Sequence, residues 1–156
     1  MIQIEDVMTR NPSTLSRFSS LADARQLMSE NKFRHVPVVD DGELLGVVSQ
    51  RNVLAHGNAD ALAVGKEELL ENEKGILLAD IMTSDLITIG PKTSIRSAAQ
   101  LILKHKVGCL PVINNEGKMA GIVTDTDFVA ITTQLLEIME ETDPVSYDEL
   151  LADADY

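Results

Sequence analysis

Gly121-Ile122-Val123-Thr124-Asp125-Thr126-Asp127 recurs 75 residues earlier as Gly46-Val47-Val48-Ser49-Gln50-Arg51-Asn52, and the reading of this pair decides the fold. In each copy a short apolar run, the signature of a strand, ends in polar residues before a new apolar-periodic segment, the signature of a helix. The spacing places Thr124 at or just before the N-cap and Asp127 in the first turn of a helix that carries Phe128 to Met139. Such a junction directs unpaired backbone N–H groups and the positive end of the helix dipole outward, which suits a phosphate. A carboxylate three residues on accepts hydrogen bonds only, and so suits the vicinal hydroxyls of a ribose. Thr-x-x-Asp is equally a capping-box pattern that only starts a helix.

The duplication extends outward from this stretch. Ile4-Glu5-Asp6-Val7-Met8-Thr9 matches Leu78-Ala79-Asp80-Ile81-Met82-Thr83 at an offset of 74, as do Ser20-Leu21-x-x-Ala24 and Ser94-Ile95-x-x-Ala98. His35-Val36-Pro37-Val38-Val39 matches Cys109-Leu110-Pro111-Val112-Ile113, and one residue added in the turn, Asn114-Asn115-Glu116-Gly117 for Asp40-Asp41-Gly42, moves the offset to 75. Each copy reads as β-α-β-β-α. A short extended piece lies at Ser13 to Leu15 or Ile87 to Ile89, and a helix follows from a serine cap. Two strands come next, at 36–39 and 44–49 or 110–113 and 119–124, and a helix closes the unit. The early proline in the first strand of each pair predicts a strand beginning or an edge.

Residues 2–55 and 77–131 are thus the two repeats, 56–76 the connector and 132–156 a last helix with an acidic tail. The connector's Lys66-Glu67-Glu68-Leu69-Leu70-Glu71-Asn72-Glu73 run reads as a solvated helix and an exposed spacer. The segment from Tyr147 to Tyr156 reads as frayed or weakly helical.

The 156 residues are 44% hydrophobic and 3% aromatic, with no tryptophan, which predicts an aliphatic core. Of the formal net charge of -12, most lies at the C-terminal end: residues 119–156 hold ten acids and no Lys or Arg, against fifteen acids and thirteen bases before them. This argues against a nucleic-acid polymer as partner, since that binding needs clustered cations. No run approaches a membrane span, the N-terminus has no signal-peptide pattern, and a single cysteine forms no internal disulfide, so a cytoplasmic protein is expected. His56 and His105 have no partners at metal-ligand spacing, and no metal site is expected. Cys109 stands at an apolar strand entry and reads as a small buried hydrophobe rather than a nucleophile. With no P-loop and no Gly-x-Ser-x-Gly elbow, no enzyme activity or catalytic residue is expected.

Two copies of Asp-Val/Ile-Met-Thr, x-x-Pro-Val-h and Gly-h-Val-Ser/Thr-x-x-Asn/Asp, in the same order, strongly resemble a tandem pair of CBS domains, named after cystathionine beta-synthase. The resemblance covers residues 2 to 131 and implies an α/β (α+β) fold in which two repeats pack sheet to sheet around a pseudo-twofold axis, with two clefts. It implies a regulatory module that needs no cofactor and binds AMP, ADP or ATP, with S-adenosylmethionine an open alternative. Carried over residue by residue, one cleft combines Thr124 and Asp127 with Ser13, Thr14, Arg34, His35 and Val36, the last three bringing two cationic side chains for phosphate. The other, expected to be weaker because Asn52 replaces an aspartate, combines Ser49 and Asn52 with Ile87, Thr88, Val107, Gly108 and Cys109. The resemblance further implies a homodimer formed through the helices and an effector that is another protein. The alternative is a ligand-free dimerisation or interaction scaffold.

Overall fold

The computed structural model describes residues 1–57 and 65–142. The Tyr147 to Tyr156 segment lies outside these. In chain order the elements are α1 (Ile4–Val7), β1 (Thr9–Arg10), α2 (Leu21–Asn31), β2 (His35–Asp40), β3 (Glu43–Ser49), α3 (Gln50–His56), α4 (Lys66–Glu73), α5 (Leu78–Ile81), α6 (Ile95–His105), β4 (Cys109–Ile113), β5 (Met119–Thr124) and α7 (Asp125–Thr142). The mixed α/β fold anticipated from the repeat is present. Within each repeat the hairpin strands pair antiparallel, β2 with β3 and β4 with β5, in matching register with a bulge at the same place.

The extended pieces at Leu15 and Ile89 each add a single parallel bridge, to Val38 and Val112. This resolves the proline expectation. Pro37 and Pro111 are fully buried inside their strands, where their carbonyls accept from Leu15 N (3.0 Å) and Ile89 N (3.0 Å). The missing N–H therefore faces a flank that pairs at one residue only, the position a strand proline tolerates. The serine caps form as read: Asp23 N donates to Ser20 Oγ (3.2 Å) and Ser97 N to Ser94 Oγ (3.1 Å).

Packing does not follow the repeat boundaries. Ile4 and Met8 are buried with Ile89, Ala98, Leu110, Val112 and Val123 of the second repeat, while Leu78 and Ile81 sit with Leu21, Ala24, Val36, Val38 and Val48 of the first. Backbone bonds fix this exchange, Ile4 N to Thr93 O (2.8 Å) and Leu78 N to Ser19 O (2.9 Å). β1 accordingly pairs with β5, and Thr83 bridges to Val47. The exchange also explains the two motifs. A Cβ on Gly121 would lie 2.7 Å from Met8 Sδ, and one on Gly46 would lie 2.6 Å from Met82 Sδ. The methionine of each Asp-h-Met-Thr thus lies on the glycine of the other half's Gly-h-Val, and the repeats interlock across four segments.

The connector needs one correction. α4 forms over the residues read as a solvated helix, but Glu73 is fully buried. Its carboxylate accepts two bonds from Arg25 of α2, Nε to Oε2 (2.8 Å) and Nη2 to Oε1 (2.6 Å), a bidentate fork. A Cβ on Gly57 would fall 2.7 Å from Arg25 Nη2, so the chain leaves α3 pressed against the same ion pair. The helix is therefore pinned to the first repeat rather than being a free spacer.

Candidate ligand-binding clefts

Both hairpins run straight into a helix, and the junctions are built alike. At the second repeat Thr124 N and Thr124 Oγ1 donate to Asp127 Oδ2 (2.8 and 3.2 Å). At the first, Ser49 N and Ser49 Oγ donate to Asn52 Oδ1 (2.8 Å each), and Asn52 N donates back to Ser49 Oγ (3.1 Å). The capping box is reciprocal at Ser49, while at Thr124 the half in which Asp127 accepts is the one present; in each case a single oxygen of the Asn or Asp side chain is used. Asp127 keeps Oδ1 with no hydrogen bond among the described residues, whereas Asn52 has an NH₂ donor left over.

The structure brings Ser13, Arg34, His35, Thr124 and Asp127 together around a cleft of about 460 Å³, between the first repeat's loop and strand entry and the second repeat's helix start. Two residues carried over for this cleft do not line it. Val36 is fully buried in the first core, since the strand's alternation turns it away from His35, and Thr14 is exposed outside the lining. The sequence reading missed Asn11, Lys32, Phe33 and Asp125. Lys32 was findable: at an offset of 74 it pairs with Lys106, and both close their helices in the left-handed conformation, φ 56° and 53°.

The pseudo-equivalent cleft, of about 470 Å³, gathers Ser49, Asn52, Ile87, Val107, Gly108 and Cys109, with Arg51, Asp85 and Lys106 added. Thr88 is not among its lining and faces a separate depression beside Ser84 and Leu86. Arg34, His35 and Asp125 line this cleft as well as the first, so the two share a wall. Gly108 makes the sharing possible. A Cβ there would lie 2.7 Å from His35 Nε2 and 3.9 Å from Asp125 Oδ2, so the imidazole fills the space a side chain would take. Gln50 N donates to Arg34 O (2.7 Å) and Asp125 N to Gly108 O (3.0 Å), tying each helix start to the strand entry of its own repeat.

Burial sets the charge of this wall. Desolvation pushes the His35 imidazole below its ordinary range; Asp125 opposes this, and Arg34 and Arg51 add to it. The expected pair of cations at 34 and 35 is thus one guanidinium and one neutral ring near pH 7, with Lys32 the second positive charge of the first cleft. The Cys109 thiol is pushed up to about 12 by burial and then by Asp125, which keeps it protonated. Among the described residues no group of three or more His, Cys, Asp or Glu is placed to hold a metal, and no helix is long and apolar enough to cross a membrane.

Two interlocked β-α-β-β-α repeats enclosing paired clefts at their pseudo-twofold interface define a tandem-repeat cleft module. The chain belongs to the CBS domain family, whose family model matches residues 4–58 and 78–132. It resembles a solved Vibrio cholerae protein described as an acetoin utilization protein (AcuB), 41% identical over 92% of this chain and 99% of that one, with a TM-score of 0.74. It also resembles CBSX2 of Arabidopsis thaliana, solved in complex with AMP, 31% identical over 86% of this chain and 98% of that one, with a TM-score of 0.70. A homoserine O-acetyltransferase of Methanocorpusculum labreanum is 33% identical over 88% of this chain, which spans 24% of that relative's length.

Proposed function

We propose that the chain is a non-catalytic regulatory module that binds an adenosine nucleotide, AMP, ADP or ATP, in the Asp127 cleft and signals its occupancy to a partner protein. The observation that carries this reading is the pairing, across one cleft, of a capped carboxylate that retains an unbonded oxygen with Arg34 and Lys32. The oxygen accepts from the ribose hydroxyls, the helix start and cations take the phosphate, and Phe33 offers an aromatic face to the base. The AMP complex of the 31% identical CBSX2 supports the ligand class. In this reading residues 2–55 and 77–131 are the two halves, 56–76 connects them and 132–156 is the C-terminal helix and acidic tail. A site built half from each repeat binds most tightly in one relative arrangement, and that difference in affinity is what shifts the module between states.

A homodimer through the helices is part of the proposal. Among the described residues, none of the 18 residues of α7 is buried, and Val129, Leu135 and Ile138 are more than half exposed, an apolar surface suited to a second copy. Sedimentation showing only monomer at micromolar concentration would contradict that part.

The test is thermal denaturation with each nucleotide. A ligand at about a hundred times its Kd stabilises by about 2.7 kcal/mol, a rise in Tm of roughly 5 to 10 °C for a chain of this size. An unchanged Tm at millimolar AMP, ADP and ATP would overturn the reading.

A further inference from the structure

The pseudo-twofold symmetry of the fold is broken where the two clefts meet. The first repeat contributes Arg34-His35 to the common wall and the second contributes Gly108-Cys109 at the equivalent positions. A symmetric pair would give each cleft its own arginine. Here the guanidinium of Arg34 lines both clefts, with Arg51 lining the Asn52 cleft alone, and Arg34 makes no ion pair among the described residues. The wall is also thin, because the His35 ring lies over a glycine with no room for even a methyl group. Asp125 adds a carboxylate that both clefts feel.

We infer that the clefts bind anionic ligands anticooperatively, competing for the one guanidinium of Arg34, so that a phosphate-bearing ligand in the Asp127 cleft weakens binding in the Asn52 cleft. The inference rests on the nucleotide reading above and names how that site is regulated. A first phosphate draws the exposed Arg34 side chain to its own side and neutralises it. A second then meets a wall stripped of its positive charge, with Asp125 still present and the first anion one imidazole away. Burial keeps His35 neutral near pH 7 and supplies no replacement charge. Lys32 on one side and Lys106 and Arg51 on the other are private to their clefts and give each a basal affinity. Because Arg34 is exposed and partly screened, the coupling belongs at the low end of the usual range, about tenfold.

The experiment is calorimetric titration of the full chain with AMP at low salt, comparing wild type with Asp127→Ala, with Arg34→Gln and with the double variant. Asp127→Asn, which retains the cap acceptor as Asn52 does, replaces Asp127→Ala should that variant unfold. The expected result is two wild-type steps, with the single step left after Asp127→Ala about tenfold tighter than the wild-type second step. The difference should vanish in the Arg34→Gln background. One wild-type step followed by a new, detectable Asn52-cleft step in Asp127→Ala also supports coupling. Equal affinities for the Asn52 cleft in wild type and Asp127→Ala, a difference that survives Arg34→Gln, or no binding left after Asp127→Ala each overturn the coupling alone. No binding of AMP to wild type overturns the nucleotide reading and the coupling with it.

Discussion

Asp127 and Asn52 occupy the same place in the same cap, each accepting a backbone N–H at 2.8 Å, yet they offer a ligand opposite chemistry, a spare acceptor in one cleft and a spare donor in the other. The same holds along the rest of the pseudo-symmetric pairs. Where the fold needs a residue, the repeats agree: glycine under methionine at 46 and 121, proline at 37 and 111, serine caps at 20 and 94. Around the clefts they diverge: Arg34 against Gly108, Ser13 against Ile87, Phe33 against Val107. These differing positions line the clefts, so the two halves offer a ligand different side chains on matching backbones.

The largest effect should come from the ion pair that only the first repeat has, since Ala99 stands where Arg25 would repeat. Arg25→Ala leaves the fully buried Glu73 without its partner and should cost about 3 kcal/mol, a fall in Tm of roughly 6 to 12 °C. A melting curve within about 1 °C of wild type would show that the connector is not pinned.

Asp127→Asn should weaken AMP binding to the first cleft by about tenfold to a hundredfold, the loss of charged hydrogen bonds to the ribose. The unliganded Tm should hardly move, because at the pseudo-equivalent start of α3 the Asn52 amide oxygen accepts the same two bonds. Loss of the fold would contradict the equivalence of the two caps. The converse, Asn52→Asp, should improve the second cleft by about fivefold, less because Asp85 and Asp125 already place carboxylates there. Titration checks both.

The smallest effect is on pH. The folded pKa of His35 lies below its unfolded value, so between the two the unfolded chain holds the extra proton and stability rises with pH. His35 should therefore cost stability as pH falls below about 6.5, and His35→Gln should flatten that slope in urea denaturation measured from pH 5 to 7.5. An unchanged slope would mean that burial does not set the charge of this ring.

Much of the fold was legible because the duplication repeats backbone demands that only certain residues meet. The exchange of α1 and α5 between cores was not, since the order of residues does not say which of two similar apolar faces Ile4 or Leu78 will cover. The close fit of Met8 on Gly121, which accounts for both motifs, exists only across that exchange. Within the clefts, the carboxylate, hydroxyl and guanidinium could be named from the sequence. The neutrality of His35 and the inward turn of Glu73 could not, because both are consequences of burial, and a run of charges looks solvated until its last member meets Arg25.

The most direct test of the account is a crystal structure of the chain grown with AMP. The ribose hydroxyls should lie within hydrogen-bonding distance of the Asp127 carboxylate, with the phosphate beside Arg34 and the Thr124 helix start. AMP bound outside this cleft, or a cleft left empty at saturating nucleotide, would contradict it.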